Sequence, residues 1–114
     1  MLKLLFSGMT DPGLVRSSNQ DAYYVDSQGR FFVVADGMGG HRGGEIASAM
    51  AVEAVREIVW SRRKESPQKS LAILVEAYKE ASQRIFERAE SEDEELVGMG
   101  TTMVGFWLRS DTIY

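Results

Sequence analysis

Residues 31–44 read Phe-Phe-Val-Val-Ala-Asp-Gly-Met-Gly-Gly-His-Arg-Gly-Gly, an apolar stretch that runs into Asp36 and a loop holding five glycines. A carboxylate leaving a rigid, buried strand is held in a fixed position, and glycines beside it let the backbone approach an ion or a phosphate closely. Upstream, Arg16-Ser-Ser-Asn-Gln-Asp21 sets a guanidinium five residues before a second carboxylate. Asp21, Asp36 and the Gly37 carbonyl are hard oxygen donors, suited to magnesium or manganese, ions that keep several waters and need few protein ligands. Two such ions side by side activate a water and clamp the oxygens of a phosphoryl group during in-line attack, so no covalent nucleophile is needed. Arg16 offers the planar fork that grips a phosphate in bidentate fashion, where lysine acts only as a point charge.

Positioning those groups requires a sheet edge. Residues 2–9 read as an edge strand closed by the turn formers Thr10-Asp11-Pro12-Gly13, residues 22–26 as a short strand, 27–30 as a hairpin turn and 31–35 as the returning strand. The two antiparallel strands then bring Asp21 and Asp36 to one end of the sheet. From residue 44 or 45 to about 64 the apolar period turns helical, with Ala47, Ala51, Ala54, Val55 and Ile58 on one stripe. A second helix is signalled by Ser66-Pro67, and Leu71, Leu74, Val75, Tyr78, Ala81, Ile85 and Ala89 form its expected core face, with Glu80 and Arg84 paired on the other side. The acidic run at 90–95 reads as a solvated connector and lacks the glycine and alternating ligands of a calcium loop. Residues 99–108 return to strand character, and 109–111 turn into a last strand at 112–114. That closing hairpin would leave its longer strand with little to pair with, so a domain cut short is expected.

Composition narrows the function classes. The chain has 114 residues, 44% hydrophobic and 26% charged, as expected of one globular domain with one core. Seventeen acidic against 13 basic residues give a net charge of −4, which disfavours nucleic acid and is compatible with cation binding. Cysteine is absent, which removes disulfides, thiolate metal sites and a cysteine nucleophile. No stretch has the length or flanks of a signal peptide or a spanning helix, so a soluble, cytoplasmic protein with no membrane partner is expected. The glycine loop fits neither the dinucleotide fingerprint nor a P-loop ending in Gly-Lys-Ser/Thr, so nucleotide binding falls back.

Three motifs in order, Arg16-Ser-Ser-Asn-Gln-Asp21-Ala, Val34-Ala-Asp36-Gly-Met-Gly-Gly-His41 and Gly98-Met-Gly100-Thr101-Thr102, resemble the first motifs of the metal-dependent serine/threonine protein phosphatases, the type 2C or PPM family, in its bacterial form. The resemblance implies an α/β (α+β) chain forming the N-terminal half of a PPM-type fold, an antiparallel β-sandwich flanked by paired antiparallel helices. Residues 1–114 would then be a PPM-type phosphatase domain incomplete at its C-terminus. It implies two Mn²⁺ or Mg²⁺ ions bridged by Asp36, the Gly37 carbonyl on one of them, Asp21 in the metal shell, and Arg16 on the phosphate of phosphoserine or phosphothreonine. Phosphorylated proteins would be the partners, with a cognate serine/threonine kinase system, and the protein a monomer. Gln20 stands where many eukaryotic members carry a glutamate ligand, and Met38 where they carry a histidine proposed as general acid. His41, the sole histidine, is then the one candidate acid, although the motif does not assign it that role and a polar contact in the loop is the preferred reading. The Gly-Asp-Ser-Arg segment and the two later aspartates of the family have no counterpart here.

Plainer readings stand beside these. Asp36 alone would be a turn aspartate, Asp21 a solvated strand-end charge and Arg16 half of a surface ion pair worth about 0–1 kcal/mol. Thr101 and Thr102 are expected to support the metal site from behind. For the chain as a whole, a catalytically silent module with the same fold is the rival to a phosphatase.

Overall fold

The computed structural model describes residues 4–14, 18–39 and 42–114. Among these residues four antiparallel strands form one sheet in chain order, β1 (Asp21–Val25), β2 (Phe31–Met38), β3 (Gly100–Arg109) and β4 (Thr112–Ile113). Two helices, α1 (Gly43–Ser61) and α2 (Ser70–Ala89), lie between β2 and β3 in sequence. Helix α1 crosses β1, β2 and β3 on one face of the sheet, and α2 packs against α1.

Alternation along β2 explains the layering. Phe31, Val33, Ala35 and Gly37 are buried on the helix side, whereas Val34, Asp36 and Met38 are exposed on the other. Alanines at 47, 51 and 54 in α1 are fully buried and let the helix approach the sheet closely. Ile73, Ala77, Ala81 and Ile85 complete the core from α2, and Leu96 and Trp107 close it from the connector and from β3. Each such large apolar side chain contributes about 1.5–3 kcal/mol by leaving water.

The hairpin turn forms as expected. The Asp26 N–H donates to the Phe31 carbonyl at 2.9 Å, the Gly29 N–H to the Asp26 carbonyl at 2.8 Å, and Gly29 takes φ +69°. The Glu80–Arg84 pair also forms, at 3.0 Å, and Arg84 reaches Glu57 of α1 at the same distance.

Several expectations are corrected. The described part of residues 2–9 is not a strand. It lies over β1 and β2 through side chains, with the Phe6 ring edge-on to Phe32 at 5.4 Å and the Tyr23 hydroxyl donating to the Gly8 carbonyl at 3.0 Å. Strand β2 runs on to Met38, so Asp36 sits inside the ladder rather than beyond it. Pro67 starts a separate 3₁₀ turn, Pro67–Lys69, before α2 begins at Ser70. On α2 the expected face holds at Ala81 and Ile85, which are buried, and at Leu74, Tyr78 and Ala89, which pack against the core, but it fails in the first two turns. Leu71 and Val75 are 62% and 54% exposed, and Ile73 and Ala77 point inward instead. The acidic run is more than a solvated connector, because Asp93 and Glu95 hold Arg42 at 3.0 and 2.6 Å. The last strand is the two-residue β4, and the Tyr114 and Trp107 backbones exchange two hydrogen bonds just past it.

Candidate active site

Strand register brings the two candidate aspartates together. Asp21 pairs directly with Asp36 across β1 and β2, and Asp36 pairs with Thr102 across β2 and β3. Cross-strand partners share a face, with Cα atoms about 4.5–5.5 Å apart. Asp21, Asp36 and Thr102 therefore form a row on the open face of the sheet, and all three are exposed. The Thr102 hydroxyl donates to the Asp36 carbonyl at 3.4 Å, so it stands beside the aspartate and not behind it. Thr101 alternates to the other face, its hydroxyl donating to the Thr102 carbonyl at 2.8 Å.

The glycines here serve close packing of backbone on backbone. A Cβ on Gly37 would collide with the Gly44 carbonyl and come within 2.7 Å of the Gln20 carbonyl oxygen. A Cβ on Gly44 would meet the Gln20 side chain at 2.7 Å and the Met38 nitrogen at 2.9 Å. The first turn of α1 is thus pressed against the end of β2, immediately behind Asp36. Gln20 latches this contact: its carbonyl accepts from the Gly37 N–H at 3.0 Å, and its side-chain amide donates to the Gly39 carbonyl at 3.1 Å. The Asn19 side chain accepts from the Asp21 N–H at 3.0 Å and fixes the entry to β1. Arg42, at the start of α1, has its pKa raised by hydrogen bonds to Glu95 and then Asp93, and this clasp ties the glycine loop to the connector before β3.

Arg16, Gly40 and His41 lie outside the described residues, and so do the expectations placed on them. Sequence reading did not single out Gln20 as a latch or place Thr102 next to Asp36. The first depends on the path of the chain beyond β2 and the second on the register of β3 against β2, which the spacing of motifs far apart in the chain does not encode.

A hard divalent cation fits this donor set as far as it goes. Two carboxylates at registered positions on an exposed face suit an ion that takes one or two protein carboxylates and keeps its waters. Among the described residues no group of three or more histidine, cysteine or acidic side chains comes together, so a two-ion site would need ligands beyond Asp21 and Asp36. No helix among the described residues is long and apolar enough to cross a membrane.

Comparison with known proteins places the fold and the motifs in a family. The chain is 36% identical over 102 residues to the serine/threonine protein phosphatase PstP of Mycobacterium tuberculosis, an alignment covering 90% of this chain and 19% of that protein. It is 40% identical over 104 residues to the serine/threonine phosphatase stp of Listeria welshimeri, covering 83% of this chain and 39% of that one. The crystal structure of the PstP catalytic domain in complex with two manganese ions superposes with a TM-score of 0.74 at 34% identity, over 87% of this chain and 40% of that domain. The chain thus spans less than half the length of these relatives. Residues 15–114 match the family model of protein phosphatase 2C, nearly the whole sequence and all three motifs, and the chain belongs to that family.

Proposed function

We propose that this chain supplies the first metal-binding strands of a protein serine/threonine phosphatase that hydrolyses phosphoserine and phosphothreonine. The register of Asp21 against Asp36 carries the reading, supported by the two manganese ions bound to the PstP domain. Manganese or magnesium, when bound as a pair, supplies an activated water and stabilises charge on the phosphoryl oxygens. Asp36, with the Gly37 carbonyl beside it, would hold the ions, and Asp21 would contribute to their surrounding shell. Arg16 orients the phosphate by its fork, and His41 is the candidate to protonate the departing seryl or threonyl oxygen.

The open sheet face supports a further step. Val34, Val104 and Phe106 on the face of the aspartates are 59%, 75% and 37% exposed, an apolar surface of the kind that a second layer covers. We assign residues 1–114 to one part of a PPM-type domain, whose remaining metal ligands come from that second layer. Phosphorylated proteins are its substrates, a serine/threonine kinase system its counterpart, and the cytoplasm its compartment.

A second reading, a module of the same fold without turnover, is favoured by the incomplete acid set among the described residues. Hydrolysis of p-nitrophenyl phosphate by the full-length protein separates the two. Manganese-dependent turnover that falls about 100-fold or more in Asp36→Asn supports the phosphatase. Turnover that survives the substitution refutes the role of Asp36, and no turnover with no manganese binding by calorimetry establishes the silent module.

A further inference from the structure

At the end of β2 opposite Asp36, a cleft of about 580 Å³ opens between the β1–β2 turn, the last turn of α1 and the β3–β4 turn. Five residues of extended chain separate the first residue of β2 from Asp36, about 17 Å. Four arginines line the cleft, Arg30, Arg56, Arg63 and Arg109, against a single acid, Asp26. This concentration of positive charge occurs in a chain whose net charge is −4.

Most of that charge is uncompensated. Arg56 is paired with Glu53 at 2.6 Å, but Arg30, Arg63 and Arg109 make no ion pair among the described residues. The Asp26 carboxylate is taken up by its own turn, accepting from the Gln28 and Arg30 N–H groups at 3.2 and 3.1 Å. Arg109 is half-buried and donates only to neutral oxygens, the Ser70 hydroxyl at 3.1 Å, the Arg63 carbonyl at 3.2 Å and the Glu65 carbonyl.

Aromatic rings orient these groups. The Arg63 guanidinium lies 3.7 Å from the Trp60 ring centre and that of Arg109 lies 4.3 Å from Trp107. Stacking occupies one face of each guanidinium. Both Arg109 amino groups are engaged by the neutral oxygens above and Arg63 gives one in-plane N–H to the Trp60 carbonyl at 2.8 Å, so the donors that meet the oxygens of a phosphoryl group are those of Arg30 and the rest of the Arg63 fork. The only two tryptophans of the chain are both here.

We infer that this cleft is a second anion site, separate from the aspartate row, which binds a phosphoryl group bearing at least two charges, on a small molecule or on a peptide. The reading is independent of the phosphatase proposal, since it uses none of the residues of that site.

Calorimetric titration of the full-length protein in EDTA, with pyrophosphate in one arm and a phosphoserine peptide in the other, tests it. Tryptophan fluorescence gives a local readout. Saturable binding is expected to persist in Asp36→Asn, to weaken at least tenfold in the double variant Arg30→Gln/Arg63→Gln, and to weaken as salt is raised. Both arginines are exposed, so the substitutions leave the core untouched, and Arg30→Gln alone should weaken binding in the same direction. Tighter binding of the peptide than of pyrophosphate assigns a phosphoprotein ligand, and the reverse order assigns a small phosphate. Absence of saturable binding in both arms, binding indifferent to the arginine variants, or binding abolished by Asp36→Asn overturns the inference.

Discussion

Replacing Gly37 with alanine tests whether the sheet edge is set by backbone contact with α1. The added methyl group would strike the Gly44 carbonyl and press on the Gln20 carbonyl oxygen, and neither is the end of a flexible side chain. Relief requires β2 to move away from α1 and also from the residue before β1, and the second shift stretches the 3.0 Å bond from the Gly37 N–H to the Gln20 carbonyl. Overpacking costs about 1–3 kcal/mol and a weakened hydrogen bond about 0.5–1.5, against about 0.4–1 gained by restricting the unfolded chain. The net expectation is a loss of about 0.5–4 kcal/mol, centred near 2, on these terms. Gly100, the strand partner of Met38 in β3, is the control. A Cβ there meets only the Met38 Cγ, at 3.7 Å, an ordinary contact, so Gly100→Ala should be neutral or stabilising by up to about 1 kcal/mol. Urea unfolding of the full-length protein, followed by far-ultraviolet circular dichroism without metal, measures both. Equal effects from the two substitutions, or a Gly37→Ala change within about 0.5 kcal/mol, would refute the claim that this glycine is a packing requirement.

Leu96, fully buried in the connector before β3, should cost about 2–5 kcal/mol as Leu96→Ala, read as a lower urea midpoint with an unchanged slope. The Glu65 carboxyl is held below its ordinary value of 4.5, first by the hydrogen bond from Arg62, which outweighs desolvation. A depressed folded pKa gives stability that is fully present above the unfolded value and lost as pH falls through the folded one. Glu65→Gln should therefore flatten the loss of stability below pH 4.5, and parallel acid limbs for the two proteins would show that the pair contributes nothing.

How much of this was legible in the sequence depends on the range of the physics involved. The hairpin was readable because Asp26 to Phe31 is local, with a glycine where the turn needs positive φ. From that hairpin the meeting of Asp21 with Asp36 followed, since one turn sets one register. Strand ends were harder. Asp36-Gly-Met looks like the start of a loop by composition, yet it stays in the ladder because β3 supplies partners as far as Met38, and β3 begins more than sixty residues later. The face of α2 misled for a related reason. Leu71 and Val75 make as good a stripe as Ile73 and Ala77, and the choice is made by α1, whose small buried residues accept alanine and isoleucine at close range. The glycine-rich loop shows the same limit at the site itself. Its composition suggests room for an ion or a phosphate, but not that Gly37 and Gly44 also bring a helix against a strand, a contact immediately behind the exposed Asp36. Gly37 thus acts on the geometry of its neighbour Asp36 as well as through its own carbonyl, and only the carbonyl's availability can be read from composition.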